Sequence, residues 1–155
     1  FRIIQVLFNL GDPNGRRLLQ ETMENVPTLA LEAAVPLAEV KDEQAMAYLR
    51  RRLAQRDDPT ENNLINRARM AAALMSGNDP NAIGQFQELL RGELNTVKIL
   101  VCELILELGD RRLLVILQPI LESADVEVSK HAAMAAIGFG YPQFRERLLS
   151  LRIND

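Results

Sequence analysis

With 155 residues, the chain has the length of one domain and enough residues to bury a substantial core. Its hydrophobic content of 48% excludes an intrinsically disordered chain, and its net charge of −3 excludes a general attraction to polyanions. Aromatic residues make up only 5% and Trp is absent, so the abundant Ala and Leu favour helices over strands. No apolar stretch approaches the ~20 residues that a membrane-spanning helix needs.

One sequence position recurs at intervals of 30, 37, 31 and 31 residues, at Asp12, Asp42, Asp79, Asp110 and Tyr141. We call it the turn position. Apolar residues recur five and eight residues before it and seven and eleven residues after it. Such offsets mark one face of an α-helix, so each turn position is predicted to separate two amphipathic helices. The ten predicted helices span residues 1–10, 13–25, 27–40, 42–56, 64–76, 80–92, 96–108, 111–123, 126–139 and 142–151, with a polar insertion at 56–63.

The turn position itself is predicted to begin a helix. The carboxylates of Asp12 and Asp79 are suited to accept hydrogen bonds from the unpaired N–H groups of a first helical turn. Proline follows at the first helical position, where its missing N–H has no cost: Pro13, Pro80 and Pro142. Glycine precedes the turn position, where a left-handed helix cap is predicted: Gly11, Gly109 and Gly140. The same hairpin turn is therefore predicted to recur along the chain.

The stretch ADVEVSKHAAMAAIG, which ends at Gly138, resembles the HEAT repeat family. In that family an Asp-rich turn leads into Val-Arg, then paired small residues, then Leu-Gly. Here Val128 takes the valine position and Ala132-Ala133 the paired small residues, while Ile137 precedes the final glycine. Tetratricopeptide repeats have a similar period, but their aromatic positions are absent from this chain.

The resemblance implies an all-α fold, a right-handed α-solenoid of about five HEAT-like hairpins. These hairpins are predicted at 1–25, 26–56, 64–92, 95–123 and 126–151, in one domain that covers 1–155. Because the chain opens within the apolar pattern and without an initiator Met, it is interpreted as a fragment of a longer protein. The family's usual role implies a non-catalytic scaffold for a protein or peptide partner, bound on the concave side that the second helices line.

A stripe on those second helices lies outside the core pattern, three, seven and ten residues before the turn position. Residues three and four apart share a helix face, so the stripe is expected to form parallel rows. Two interpretations stay open, a solvated surface and a partner-binding groove that is acidic in its middle. The candidate contact residues are Glu32, Glu39, Arg69, Leu100, Glu103, Glu107, His131 and Met134.

Two other functions remain as alternatives. Arg16-Arg17, Arg50–Arg52, Arg91 and Arg111-Arg112 recur on or at the ends of the first helices, and such a recurrence is what nucleic-acid or polyanion binding requires. A HEAT-like lyase or accessory subunit is the other, because bilin lyase subunits and one class of alkylpurine DNA glycosylases share this architecture. Fold analogy does not carry function, and the functional residues of neither family are matched here.

Catalytic chemistry has little support in the residue types. Cys102 and His131 are the only residues of their kinds, and they fall at different helix offsets, so a Cys–His pair is not expected. We predict no enzyme activity, no cofactor and no metal site. One cysteine closes no internal disulfide, so the cytoplasm is favoured, and the periplasm stays open if the longer protein has a signal sequence.

Overall fold

The computed structural model describes residues 1–55, 58–146 and 149. Within these residues all regular secondary structure is helical, and no strand is formed. The helices are α1 (Arg2–Asn9), α2 (Pro13–Asn25), α3 (Ala30–Glu39), α4 (Glu43–Ala54), α5 (Glu61–Ser76), α6 (Ala82–Arg91), α7 (Asn95–Leu108), α8 (Leu114–Leu121) and α9 (Val126–Gly138). Single 3₁₀ turns, Pro27–Leu29 and Arg111–Leu113, open the segments of α3 and α8.

The first nine predicted helices are confirmed, with ends that agree to within three residues. The starts of α3, α5 and α8 differ most, by three residues each. Helix α5 begins at Glu61 and takes in the end of the predicted insertion. Thr60 explains this start, because its hydroxyl accepts a hydrogen bond from the Asn63 N–H at 3.3 Å, as a helix N-cap does. Of the predicted tenth helix, 142–151, residues 144–146 and 149 are helical. Residues 147, 148, 150 and 151 lie outside the described ones, Leu148 among them.

The contacts divide the chain into two compact units. The first unit consists of residues 1–57 and 73–80, and the second of residues 58–72 and 81–155. In the first, α1 packs on α2, α2 on α3 and α3 on α4. In the second, α6 packs on α7, and α9 packs on both α7 and α8. We refer to the helices that precede a turn position as second helices: α1, α3, α5, α7 and α9. Those that follow a turn position are first helices: α2, α4, α6 and α8.

The predicted core positions are buried in both units. Seven residues after the turn position, Leu19, Leu49 and Phe86 are 0% exposed and Leu117 is 1% exposed. Five residues before it, Leu37, Leu74, Ile105 and Ala136 are at most 2% exposed. Helix α1 is the exception, because it has no buried residue. The apolar periodicity therefore identifies the buried face of every described helix after α1.

The turn recurs in its backbone as well as in its sequence. The residue before the turn position has a positive φ in all five cases: Gly11 (75°), Lys41 (62°), Asn78 (67°), Gly109 (63°) and Gly140 (84°). At four of the five, two bonds close the helix end in a Schellman motif, for example Gly11 N–H to Phe8 O at 2.9 Å and Asp12 N–H to Leu7 O at 3.0 Å. The three predicted glycine caps are confirmed, and two further ones occur without glycine.

The aspartate caps are confirmed in part. The carboxylate of Asp12 accepts a hydrogen bond from Asn14 N–H at 2.8 Å, and Pro13 is the first residue of α2. The predicted helix start at Pro80 is wrong, because α6 begins at Ala82 and Pro80 lies in the preceding turn. The carboxylate of Asp79 is 1% exposed and is held by the guanidinium of Arg50, so it joins two hairpins besides standing at a turn.

Candidate functional site

The beginnings of the second helices are tied together in the second unit. Thr96 Oγ1, at the start of α7, donates to the Glu61 carboxylate at the start of α5 at 2.6 Å. Asn95 Nδ2 donates in turn to the Asp125 carboxylate, which caps α9, at 2.7 Å. The first turns of α5, α7 and α9 therefore lie side by side, in the order of the sequence. Parallel rows of side chains require this arrangement.

One side-chain contact connects the exposed faces of α7 and α9. His131 Nε2 on α9 lies 3.6 Å from Glu103 Oε1 on α7. The other ring nitrogen, Nδ1, lies 2.8 Å from the Glu127 carbonyl oxygen. Because a carbonyl only accepts, Nδ1 carries a proton in this contact, and the imidazole is fixed in orientation with its Nε2 toward the carboxylate.

Apolar side chains lie beside this pair. Gly138 makes room for Leu106, whose Cδ1 would be only 2.2 Å from a Cβ at position 138. Leu106 is still 39% exposed, and Met134, one helical turn after His131, is 47% exposed. We call Glu103, Leu106, Glu107, His131 and Met134 the α7–α9 face. It combines two carboxylates with two exposed apolar side chains.

The structure places the predicted stripe at the surface. Glu32, Glu39, Arg69, Glu103, Glu107 and Met134 are exposed, and Leu100 and His131 are half-buried. Glu32 and Glu39 belong to the first unit and the other six to the second. Desolvation raises the pKa of Glu39 above its ordinary value. Only Glu103 and His131 are joined by a described contact, and the stripe's role in partner binding stays a prediction. Sequence reasoning missed Leu106, because its offset of four residues before the turn position was not part of the stripe.

A second set of polar contacts joins successive hairpins in the first unit. Asp42, whose side chain is 6% exposed, accepts from Arg16 Nη2 and Gln20 Nε2 on α2, both at 2.9 Å. Asp79 accepts from Arg50 on α4 in the same manner. In each case the donor stands four or eight residues after one turn position, and the acceptor is the aspartate at the following turn position. This offset was the signal available in the sequence, where Arg50 was interpreted only as part of a basic run.

The electrostatics of Asp42 follow from this position. Burial alone would raise the pKa of the carboxyl group, but the hydrogen bonds it accepts, first of all from Arg16, outweigh burial and hold the pKa below its ordinary value. The carboxylate also accepts from the Ala45 N–H at 3.2 Å, which caps α4. One side chain therefore both begins a helix and links that helix to the preceding hairpin.

The reactive residue types are poorly placed for chemistry. Cys102 is 1% exposed, and burial together with the nearby Glu103 raises the pKa of its thiol to about 12. Two open grooves of the second unit, of about 520 and 310 Å³, are lined by neither Cys102 nor His131. Across residues 1–55, 58–146 and 149, no three His, Cys, Asp or Glu side chains come close enough to hold a metal ion.

The described part of the chain is thus an all-α protein whose helices pack against their chain neighbours. It contains no helix with the length and apolar character needed to cross a lipid bilayer. No protein-family model, curated protein sequence or solved structure matches the chain. The function is accordingly inferred from the residues of its own surface.

Proposed function

We propose that the chain is a non-catalytic interaction scaffold, a right-handed α-solenoid of HEAT-like hairpins that binds a protein or peptide partner on its second helices. The observation that carries the proposal is the α7–α9 face, where the Glu103–His131 contact at 3.6 Å joins two neighbouring second helices. In this arrangement the second helices line the concave side of the solenoid, as the resemblance to HEAT repeats implies.

The composition of the α7–α9 face indicates the chemistry of the partner. Glu103 and Glu107 lie one turn apart on α7 and are both exposed, so together they favour a cationic group. Leu106 and Met134 offer apolar surface next to them, and Met adapts its shape readily to different partners. The partner is therefore a helix or extended segment in which Lys or Arg alternates with apolar side chains.

The Arg-rich first helices favour the alternative, nucleic-acid binding, less well. Arg16 and Arg50 are paired with buried aspartates, and Arg17 with Glu21. Arg112 is bonded to Asp110 of its own turn. A guanidinium that already holds a carboxylate neutralises a phosphate poorly, and it therefore releases few counterions from the nucleic acid. These residues would contribute little to phosphate binding.

Charge reversal on the α7–α9 face tests the proposal. Immobilised wild-type chain and the Glu103→Arg variant are incubated with extract of the source cell, and the retained proteins are quantified by mass spectrometry. A partner retained by the wild type is expected to be lost from Glu103→Arg, because the introduced cation repels its basic residues. The thermal midpoint should stay unchanged, since Glu103 is exposed.

The matched control is Glu122→Arg, which reverses another exposed carboxylate of the second unit, at the end of α8. It should retain the partner. Equal retention by the wild type and Glu103→Arg would remove the α7–α9 face from consideration. Retention that depends on Arg51 or Arg91 and disappears on nuclease treatment would instead establish the nucleic-acid alternative.

A further inference from the structure

The larger open groove of the second unit has a mainly aliphatic lining. Its volume of about 520 Å³ falls within the range of small-molecule binding sites. Leu64 on α5, Leu89 on α6 and Val97 on α7 line it, and so does Leu94 in the turn between α6 and α7. Leu89 and Val97 are buried, whereas Leu94 is 39% exposed. The groove therefore offers apolar surface to the hydrocarbon part of a ligand.

A guanidinium group lies among these apolar side chains. Arg67 on α5 lines the groove, and its side chain is only 18% exposed. Its Nη2 donates a hydrogen bond to Oε1 of Gln85 on α6 at 2.9 Å. This amide oxygen holds the guanidinium in place but has no net charge, so the positive charge at the groove still favours an anion.

Glu88 on α6 shows which chemical group Arg67 accepts. Its Oε2 lies 3.6 Å from Arg67 Nη2, and its side chain is 70% exposed. An exposed carboxylate at this distance is held weakly, because water screens the pair. The carboxylate of a ligand can therefore take the place of Glu88, whose side chain then turns into solvent. Arg67, Arg91 and Glu93 remain as the charged groups of the described lining, and together they favour a ligand with one negative charge.

We propose that this groove binds an amphipathic monocarboxylate of the fatty-acid type. The carboxylate pairs with Arg67, whose planar guanidinium matches the two carboxylate oxygens. The hydrocarbon chain lies along Leu64, Leu89 and Leu94. Glu93 disfavours a second negative charge on the ligand, and the aliphatic lining disfavours a polar chain. The described lining shares no residue with the α7–α9 face, so this site is independent of the proposed partner binding.

Titration calorimetry of the whole chain with octanoate tests the site. The wild type is expected to bind octanoate with a Kd of about 0.1–1 mM, as a small ligand at an open groove does. Acetate lacks the hydrocarbon chain and octyltrimethylammonium has the opposite charge, so neither should bind. Arg67→Met removes the charge but keeps the aliphatic stem, and it should weaken octanoate binding about tenfold or more. Circular dichroism shows whether this variant retains the wild-type helix content.

Glu88→Gln changes an exposed side chain and gives the opposite sign. Because it removes the competing carboxylate, it should tighten octanoate binding by about two- to fivefold. A merely structural contact between residues 67 and 88 would not produce this gain. The matched control is Arg111→Met, which removes an exposed guanidinium of the second unit outside this groove and should bind octanoate as the wild type does.

Methyl NMR locates the bound ligand, since the signals of Leu64 and Leu94 should shift when octanoate is added. A wild type that binds no octanoate up to about 5 mM, or that binds octyltrimethylammonium equally well, would overturn the proposal. So would an unchanged affinity of Glu88→Gln or of a folded Arg67→Met, or a loss of binding in Arg111→Met. Shifts confined to Leu114 and Leu121, which line the smaller groove, would overturn it as well.

Discussion

Asp42 has two roles, because its charge holds α2 and its side-chain oxygen caps α4. Two substitutions separate these roles. Asp42→Asn keeps a side-chain oxygen that caps α4, since Asn and Asp cap equally well, but removes the negative charge. Asp42→Ala removes both. The carboxylate accepts from Arg16 and Gln20 at 2.9 Å each, and from the Ala45 N–H at 3.2 Å.

The magnitudes follow from the exposure of the partners. A hydrogen bond to a charged group contributes about 1.5–3 kcal/mol when it is buried. The Arg16 side chain is 52% exposed, however, so solvent screens its pair with Asp42 to about 0.5–1 kcal/mol. Asp42→Asn is therefore expected to lower the free energy of unfolding by about 1–2 kcal/mol in all, because the bond from Gln20 is also weakened. Asp42→Ala is expected to lose about 1 kcal/mol more with the cap.

The assay is urea unfolding of Asp42→Asn, Arg16→Ala and the double variant at pH 7, followed by far-ultraviolet circular dichroism. The double-mutant cycle should give a coupling of about 0.5–1 kcal/mol between residues 16 and 42. Asp12→Asn is the control, since Asp12 caps α2 and an asparagine there should change little. Equal effects of Asp42→Asn and Asp12→Asn, together with zero coupling, would refute the reasoning.

The pH dependence gives a second check on the same pair. The folded-state pKa of Asp42 is lowered, so the ionised carboxylate stabilises the fold above the unfolded-state pKa of about 3.9. That contribution is lost as the pH falls through the lower, folded-state value. The stability difference between wild type and Asp42→Asn should thus be constant from pH 7 down to about pH 4 and disappear in stronger acid. A difference that persists unchanged below pH 2 would contradict the assignment.

Three further predictions concern backbone and core, each checked by the urea midpoint at pH 7. Gly15→Ala should lower the free energy of unfolding by about 3 kcal/mol, because its Cβ would meet backbone atoms of α1 at 2.3 Å. Gly84→Ala, with nothing within 4 Å, should raise it by about 0.5–1 kcal/mol. Equal effects would show that α1 does not approach α2 there. Lys41→Gly should gain about 0.5–1 kcal/mol, because its φ of 62° is strained for a side chain, and Gly109→Ala, with φ of 63°, should lose about 1 kcal/mol; the opposite signs would contradict the recurring left-handed cap. Leu117→Ala should lose about 2–5 kcal/mol through a cavity, since Leu117 is 1% exposed, and an unchanged midpoint would refute its place in the core.

Much of the fold was accessible from the sequence because burial follows helical periodicity. Leu49 and Phe86 stand seven residues after their turn positions and both are fully buried. The periodicity did not reveal the left-handed caps at Lys41 and Asn78, because no glycine marks them. At these two positions the hydrogen bonds that close the helix end outweigh the preference of Lys and Asn for a negative φ. Those bonds form only in the packed hairpin, so the sequence alone does not show them.

The candidate site was less accessible. The offsets placed Glu103 and His131 in the same stripe, but a repeat alignment does not show whether neighbouring side chains touch. Their contact depends on how closely α7 and α9 approach, which Gly138 allows by admitting Leu106. The pairs of Arg with buried Asp are hidden for a related reason. A run of charged residues along one helix does not show which of them reaches the aspartate of the next turn.

The binding surface is tested most directly by photocrosslinking from a single position of the α7–α9 face. A benzoylphenylalanine is placed at Met134, which is 47% exposed, and in a second protein at Val115 on α8, which is 74% exposed. After irradiation in source-cell extract, the probe at 134 is expected to capture one dominant partner, which Glu103→Arg abolishes, and the probe at 115 is expected not to capture it. Capture of the same partner from position 115 alone would contradict the proposal that the second helices form the binding surface.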